Sequence, residues 1–403
     1  MSESFEQHFA KQSEEEKSPE QIKEERALKL TKEIREIKEK MEKKGKTIEG
    51  YQRIIALVEE IKKIYEKRWQ LEGRLTEENV LAEYEAVGAV LTANFSPEGD
   101  KVVIGSDYDQ MMRVISLKEK DKQGKPKVLA KYEAGGAVLT ANFSPEGDRI
   151  VIGSDDHMMR VISLKEKDKQ GKPKVLAEYE AGGAVLAANF SPEGDKVVIG
   201  SDYDQMMRVI SLKEKDKQGK PKVLAKYKAG GKVWTANFSP EGDKVVIGSD
   251  DCMMRVISLK EKGEQKKPKV LVRYKARGEV LAANFSPEGD RVVIGSADKM
   301  MRVISLKEKD KQGKPKVLAE YQARGRVRAA NFSPEGDRVV IGSADQMMRI
   351  ISLKEKDEEG KPMVLAWYEA GGSVKAANFS PEGDRIVIGS DDGMMKVLGS
   401  KNS

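Results

Sequence analysis

The chain has few of the residues on which most catalytic and cross-linked proteins depend. Of its 403 residues, one is Cys, two are His and only 6% are aromatic. The single cysteine, Cys252, cannot form an internal disulfide, which favours a reducing, cytoplasmic location. His8 lies in an N-terminal tail and His157 in a turn, so neither a histidine-rich metal site nor a Ser-His-Asp triad is expected. We therefore expect no metal, no cofactor and no enzymatic activity.

Long apolar runs are also absent. No stretch approaches the ~20 apolar residues that a membrane-spanning helix needs, so we expect no membrane insertion. By contrast, 35% of the residues are charged and 38% are hydrophobic. So low a hydrophobic fraction does not easily fill several independent cores, which favours repeated units that share one.

A tandem repeat occupies most of the chain. The string Asn-Phe-Ser-Pro-Glu-Gly-Asp occurs seven times, at intervals of 47 or 48 residues. Each unit contains four short segments in which apolar and polar residues alternate or β-branched residues predominate. Pro, Gly, Ser and Asp separate these segments, which predicts four strands. The extra residue of the longer intervals always falls in Ser-Asp-Tyr-Asp-Gln-Met-Met, which marks this place as a turn. Four strands in about 47 residues are typical of one propeller blade.

The repeat resembles the WD40 repeat. Residues 143–164 are similar to that family's Phe-Ser-Pro-Asp-Gly turn, its Gly-Ser-x-Asp turn and its closing strand. The resemblance covers about residues 79–398 and implies a seven-bladed β-propeller. Two family features are missing, because Ile162-Ser163 replaces the Trp-Asp pair and Glu133-Ala134 replaces the Gly-His pair. The Asp of the Gly-Ser-x-Asp turn occurs in every unit, and we expect it to cap its own turn: Asp109, Asp156, Asp204, Asp251, Asp298, Asp345 and Asp392.

The ends of the repeat region predict a ring that closes on itself. The last unit stops after its third strand, whereas a fourth-strand sequence, residues 79–84, precedes the first unit. We therefore predict a mainly β fold with a seven-bladed propeller over residues 76–398, closed by strand 79–84. Residues 1–18 are expected to be a disordered tail, and 399–403 a short second tail.

Residues 19–75 have a helical pattern. Apolar residues recur at helical spacing on both sides of Lys44-Gly45-Lys46, which predicts an antiparallel α-helical hairpin or coiled coil. The second arm has an apolar stripe that is broader than a two-helix seam needs: Tyr51, Ile54, Val58, Ile61 and Tyr65, with further apolar residues beside it. Three alternatives stay open: the hairpin packs on the propeller, forms a homo-oligomer, or docks a partner.

The seven units differ from one another mainly at three places, which lie on one face in propellers of the resembled family. The residue after the first-strand Val is Leu91, Leu139, Leu186, Trp234, Leu281, Arg328 or Lys375. The preceding loop adds Lys232, Arg277, Glu279, Arg324 and Arg326. The turn between the second and third strands adds Tyr108, His157, Tyr203, Cys252, Lys299 and Gln346. This pattern predicts a partner-binding face, although drift after duplication would also vary exposed positions.

The chemistry of this face suggests its partner. Units one to four present Leu, Tyr and Trp, and units five to seven mostly Arg and Lys, which suits a protein or peptide with apolar and acidic groups. The leading hypothesis is a non-enzymatic protein–protein interaction scaffold. The alternative is a basic nucleic-acid-binding protein, because connections such as residues 165–174 carry five Lys against two acids. Alternation of Lys with acids, and the lack of interleaved aromatics, make this alternative the weaker one.

Overall fold

In a computed structural model, the chain divides into two compact units, Met1–Gln70 and Leu71–Ser403. The structure describes residues 72–263 and 268–400 of the second unit, and residues 29–30, 32–34, 36–37, 40–41 and 52–57 of the first. The described residues of the first unit are helical, and Arg53 Nη2 lies 2.9 Å from Glu33 Oε1. These short stretches do not support a complete hairpin. Residues 72–75, the end of the hairpin predicted over residues 19–75, are not helical, because Gly73–Arg74 form a strand that pairs with the propeller. The rest of the predicted hairpin and the tail 1–18 lie outside the described residues.

The second unit is built almost entirely of short strands. Before the first blade come β1 (Gly73–Arg74), a 3₁₀ turn (Glu77–Asn79) and β2 (Val80–Glu85). Blade one contains β3 (Val90–Phe95), β4 (Lys101–Ser106), β5 (Met111–Lys120) and β6 (Pro126–Glu133). Blade two contains β7 (Val138–Phe143), β8 (Arg149–Ser154), β9 (Met158–Lys167) and β10 (Pro173–Glu180). Blade three contains β11 (Val185–Phe190), β12 (Lys196–Ser201), β13 (Met206–Lys215) and β14 (Pro221–Lys228).

The remaining blades repeat this order. Blade four contains β15 (Val233–Phe238), β16 (Lys244–Ser249), β17 (Met253–Lys262) and β18 (Pro268–Lys275). Blade five contains β19 (Val280–Phe285), β20 (Arg291–Ser296), β21 (Met300–Lys309) and β22 (Pro315–Gln322). Blade six contains β23 (Val327–Phe332), β24 (Arg338–Ser343), β25 (Met347–Lys356) and β26 (Pro362–Glu369). Blade seven contains β27 (Val374–Phe379), β28 (Ile386–Ser390) and β29 (Met394–Leu398).

Each blade is an antiparallel sheet in which the first strand of the unit is innermost and the fourth is outermost. Blades one to five have four strands in sequence order, whereas blade seven takes its outer strand from β2, which pairs antiparallel with β29. Blade six gains a fifth strand, because β1 pairs in parallel with β26. The prediction of a mainly β, seven-bladed propeller is therefore confirmed. The strand β1 lies before residue 76, where the sequence had suggested that the propeller begins.

The turn chemistry of the repeat explains the first reversal in each blade. In blade two, the N–H of Gly147 donates to the carbonyl of Ser144 at 2.9 Å, and Gly147 has a φ of +71°, which glycine adopts without strain. A second glycine serves close packing. A Cβ added at Gly153 would lie 2.6 Å from the backbone oxygen of Val185 in the next blade. Glycine at this point lets neighbouring blades approach each other.

The hydrophobic core lies between blades rather than within them. One cluster joins Met112 and Val114 of blade one to Ile150 and Ile152 of blade two, and similar clusters recur around the ring. The second Met of each Met-Met pair is fully buried, which agrees with gap filling between blades. A cluster that includes Val102 of blade one and Met395 of blade seven closes the ring.

Candidate functional site

Backbone hydrogen bonds bring two of the three variable places together in every blade. The N–H that begins the second-to-third turn donates to a carbonyl in the loop preceding the inner strand, as Asp155 does to Ala137 at 3.0 Å. The equivalent distances around the ring range from 2.9 to 3.2 Å. The loops and turns therefore share one end of the propeller, which we call the variable face.

The third variable place is a β-bulge. In every blade the pairing of the inner strand with the second strand shifts register around the residue after the first Val, as between Val90 and Thr92. Bulges disrupt a ladder locally and re-aim a side chain. The seven bulge residues are half-buried at the edge of the variable face: Leu91, Leu139, Leu186, Trp234, Leu281, Arg328 and Lys375.

The turn Asp connects the second-to-third turn with the neighbouring loop on the variable face. Asp156 accepts from the N–H of Met158 at 2.9 Å and, across the loop, from the N–H of Gly135 at 3.0 Å. Its second oxygen also lies 2.6 Å from Arg160 Nη1, in an ion pair that is mostly buried. The same Arg–Asp pair occurs in blades one to six, with Asp109, Asp156, Asp204, Asp251, Asp298 and Asp345. Sequence reasoning missed the Arg, although it follows the Asp by four residues in six units.

The protonation of these carboxyl groups reflects their partners. Burial acts to raise the pKa of Asp156, but hydrogen bonds from Arg160 and the Met158 backbone, with the Arg160 charge, outweigh it and lower the pKa. The pKa values of Asp109, Asp204, Asp251 and Asp345 are lowered in the same way, by their own Arg. These turns are therefore held by charged carboxylates at neutral pH.

The turn also forces one residue per blade into the left-handed region. Six of these residues are not glycine, and their φ values lie between 56° and 69°: Gln110, His157, Gln205, Cys252, Lys299 and Gln346. Blade seven has Gly393 at this position. The true equivalents of His157 in blades one and three are thus Gln110 and Gln205, and Tyr108 and Tyr203 are the inserted residues.

The apolar half of the variable face has two exposed anchors and one that is partly held. Tyr108 and Tyr203 are 81% and 84% exposed. Trp234 Nε1 donates to Asp250 Oδ1, and Lys232 Nζ lies 5.7 Å from the centre of the Trp234 ring. The tryptophan ring therefore lies between an acid and a cation, in a fixed orientation.

The basic half contains charges that are weakly neutralised. Blades five and six have Ala297 and Ala344 where the other turns have an Asp. Lys375 Nζ lies 3.0 Å from Asp391 Oδ1, and Arg326 lies 3.6 Å from Glu279. The remaining predicted residues of this half, Arg277, Lys299 and Arg324, have exposed side chains.

Two buried polar atoms on the variable face lack partners. Among the described residues, neither Arg328 Nε nor Ser373 Oγ has a hydrogen-bond partner. The two residues belong to adjacent blades, Arg328 at the bulge of blade six and Ser373 in the loop before blade seven. An unpaired buried donor costs free energy, about 1–3 kcal/mol, unless a water or ligand oxygen supplies the missing acceptor.

The opposite end of the central channel is uniform. A cavity of about 590 Å³ is lined by the Asn, Phe, Ser and Pro of all seven units. Each Asn Nδ2 donates to the carbonyl of an inner-strand Ala in the next blade, at 2.9 or 3.0 Å, ending with Asn378 to Ala93. The Asn ring is therefore held by backbone hydrogen bonds that link neighbouring blades.

The lysine-rich connections, also at this opposite end, are partly neutralised by their own acids. In blade two, Lys174 Nζ lies 2.8 Å from Glu166 Oε2 across the third and outer strands. The same pair recurs in blades one, three, four and five at 2.7 or 2.8 Å. Within the described ranges, no cluster of three or more His, Cys, Asp or Glu could hold a metal, and no helix is long and apolar enough to cross a membrane.

A family model agrees with this architecture. The model for the WD domain, G-beta repeat, matches residues 126–163, 221–258 and 365–397. Each match starts in the outer strand of one blade and ends in the third strand of the next, so that one repeat spans two blades. The chain is a seven-bladed β-propeller that contains WD40 repeats at three places. No curated protein matches it.

WD40 propellers are typically protein-interaction scaffolds and are generally not catalytic. In this propeller the turn Asp is retained in every blade, although the Trp-Asp and Gly-His pairs of the WD40 repeat are replaced. In blades one to six that Asp forms an ion pair with Arg160 or its equivalent.

Proposed function

We propose that this WD40 propeller is a non-enzymatic scaffold whose variable face binds a protein or peptide carrying apolar and acidic groups. The observation that carries the proposal is the pair of unpartnered buried atoms, Arg328 Nε and Ser373 Oγ, beside weakly neutralised Arg side chains. A carboxylate of the partner accepts from the Arg328 guanidinium, because charge-assisted hydrogen bonds satisfy a buried donor best. The cytoplasmic location and the lack of enzymatic activity belong to the same proposal.

The apolar half of the face supplies the anchors. Tyr108 and Tyr203 are almost fully exposed and are the inserted turn residues of blades one and three. Large aromatic side chains at an exposed position bury much area on binding and lose few rotamers, and such residues dominate binding energy at interfaces. Trp234 is the central anchor, since Asp250 already fixes its ring.

A displayed peptide library selected on the full chain tests the proposal. We expect the enriched peptides to combine Glu or Asp with aromatic or aliphatic residues. Replacing three side chains together, in Trp234→Ala/Arg326→Gln/Arg328→Gln, should weaken their binding at least about 30-fold, because the loss of even one anchor worth roughly 2 kcal/mol has this effect. The matched control is Lys122→Gln/Lys169→Gln/Lys217→Gln, which removes three exposed charges from the opposite end. Equal binding by the two triple variants contradicts the proposal.

The alternative of nucleic-acid binding stays a prediction. It depends on the lysine-rich connections, and the cross-strand Lys–Glu pairs there reduce the free positive charge. If the alternative holds, a generic RNA or DNA is shifted in a gel at low salt, with affinity that falls steeply as salt rises. The absence of a shift at low salt eliminates it.

A further inference from the structure

The seam between blades six and seven differs from the other seams of the ring. In blades one to six, a third-strand Arg pairs with the turn Asp of its own blade. Blade seven has Lys396 at this position, and its ammonium lies 2.9 Å from Glu77, which precedes the closing strand β2. Among the described residues, Asp392 accepts hydrogen bonds from Ser390 and from the N–H of Met394 but has no ion-pair partner. At this seam the cation at position 396 therefore contacts the segment of residues 73–77 and not the turn Asp of its own blade.

The outer strand of blade six is adapted to the same segment. Trp367 stands where the other outer strands carry a charged residue, and Met363 stands where five of them carry Lys. The segment pairs here, with Gly73 opposite Ala366, and the N–H of Leu75 donates to the Trp367 carbonyl at 2.8 Å. Ala366 is fully buried as a result, whereas its equivalents in the other blades are half-buried.

A three-member hydrogen-bond network completes the contact. Tyr368 Oη donates to Glu77 Oε1 at 2.6 Å, and Lys396 Nζ donates to both Glu77 oxygens, at 2.9 and 3.1 Å, and to Tyr368 Oη at 2.9 Å. Hydrogen bonds from Tyr368 and Lys396 lower the pKa of Glu77, so the carboxylate is charged at neutral pH. Between the strand pair and this network, Leu75 is only 4% exposed. The seam therefore recognises a short strand, a buried Leu and, two residues later, a carboxylate.

Correct ring closure requires a feature that distinguishes blade seven, because the blades are nearly identical in sequence. The closing strand has the sequence Val-Leu-Ala-Glu-Tyr, which also occurs in the outer strands at residues 175–179 and 317–321. The third strands that receive them share Met-Met-Arg-Val-Ile in blades one to five. Backbone pairing alone thus distinguishes poorly between correct and displaced positions, and only features that are unique to one blade specify the register.

From these contacts we infer that the outer edge of blade six, Tyr368 and Lys396 form a binding site for a Leu-x-Glu segment. Residues 73–77 are its resident ligand, and their binding selects blade seven as the blade that β2 completes. The site lies on the outer rim of the ring.

Amide hydrogen exchange of the full chain tests the site. Lys396→Arg gives blade seven the residue of blades one to six, so the new guanidinium pairs with Asp392 and leaves Glu77 with Tyr368 alone. We expect the Leu75 amide to exchange at least about tenfold faster in Lys396→Arg and in Glu77→Gln, while the β2 amides stay protected. The controls are Glu78→Gln, an exposed neighbour, and Arg160→Lys, the reverse exchange at an ordinary seam. Unchanged Leu75 protection in both test variants overturns the site.

Refolding from denaturant tests the role in closure. After refolding, the peptide containing residues 80–85 should give a single, protected isotope envelope in the wild type. In Leu75→Ala/Glu77→Gln we expect two envelopes, one protected and one exchanged, from rings closed at the right and at a wrong position. A single protected envelope in this variant refutes the role in closure, even where the Leu75 amide has lost its protection.

Discussion

At the scale of single residues, the second-to-third turn stores backbone strain in six of the seven blades. His157, with a φ of +69°, and its equivalents adopt a conformation that costs a residue with a Cβ roughly 1–2 kcal/mol. Gly393 in blade seven avoids this cost at a φ of +83°. Four of the six strained residues have exposed side chains, and Gln205 and Cys252 are half-buried. Part of the variable face is therefore carried by residues whose backbone conformation is unfavourable.

The change His157→Gly should stabilise the propeller. Glycine relieves the left-handed strain, and its greater freedom in the unfolded chain cancels about half of the gain, which leaves about 0.5–1 kcal/mol. The His157 side chain is exposed, so little packing is lost. Chemical denaturation monitored by circular dichroism measures the difference. His157→Ala is the control, since it removes the imidazole and keeps the strain. If alanine stabilises as much as glycine, the strain is not the cause.

At the scale of elements, the turn Asp joins the second-to-third turn to the loop beside it. Asp156 contacts the backbone of both elements and the Arg160 side chain at once. The turn and the loop carry most of the variable residues, so their relative position depends on a charged carboxylate. Asp155, one residue earlier, is exposed and provides a natural comparison.

The free energy of unfolding should depend on pH through these turns. Because the pKa of Asp156 is lowered in the folded state, the carboxylate contributes stability that is fully present above its unfolded pKa, near 3.8. That contribution is lost as the pH falls through the lower, folded pKa. Asp156→Asn should cost about 1.5–3 kcal/mol at pH 7, because a hydrogen bond to a charged group is removed. Urea denaturation at pH 7 and at several lower pH values measures it.

The control for this experiment is Asp155→Asn, which changes the same net charge on an exposed side chain. We expect it to change the free energy of unfolding by less than about 0.5 kcal/mol. The difference between wild type and Asp156→Asn should shrink as the pH falls. A difference that stays constant with pH would show that Asp156 acts only through its shape.

At the scale of the whole molecule, the buried clusters of the described residues lie between blades. They join neighbouring blades at six of the seven seams, and the cluster between blades seven and one depends on β2 having closed the last blade. Leu71–Ser403 form one compact unit that includes β1, so a boundary for truncation belongs at residue 71 rather than 76.

The residues before this body should set the oligomeric state. The sequence predicts a helical hairpin over residues 19–75 with a broad apolar stripe, which a second copy can cover. Multi-angle light scattering should give a dimer for the full chain and a monomer for residues 71–403. Replacing the stripe residues Ile54 and Ile61 by Lys in the full chain should also give a monomer. A full chain that is monomeric refutes self-association.

Much of the fold could be predicted because its signals are local. The Ser-Pro-Glu-Gly-Asp turn, the β-branched runs and the 47-residue period depend on residues that are neighbours in the chain. The variable positions could be found by comparing the units with one another. Their partners could not, because the unpartnered Arg328 Nε depends on which groups surround it in the folded ring.

The number of blades, their four-stranded pattern and the places where they differ follow from the sequence alone, because the seven units can be compared with one another. The tertiary structure decided which groups meet across seams. Glu77 and Lys396 are 319 residues apart. Lys396 replaces the Arg of the other blades, and this replacement is explained only by the fold, in which β1 pairs with blade six and brings Glu77 to Lys396. Local turn chemistry is specified by short strings of residues, whereas ring closure is specified by contacts that exist only once the two ends of the chain meet.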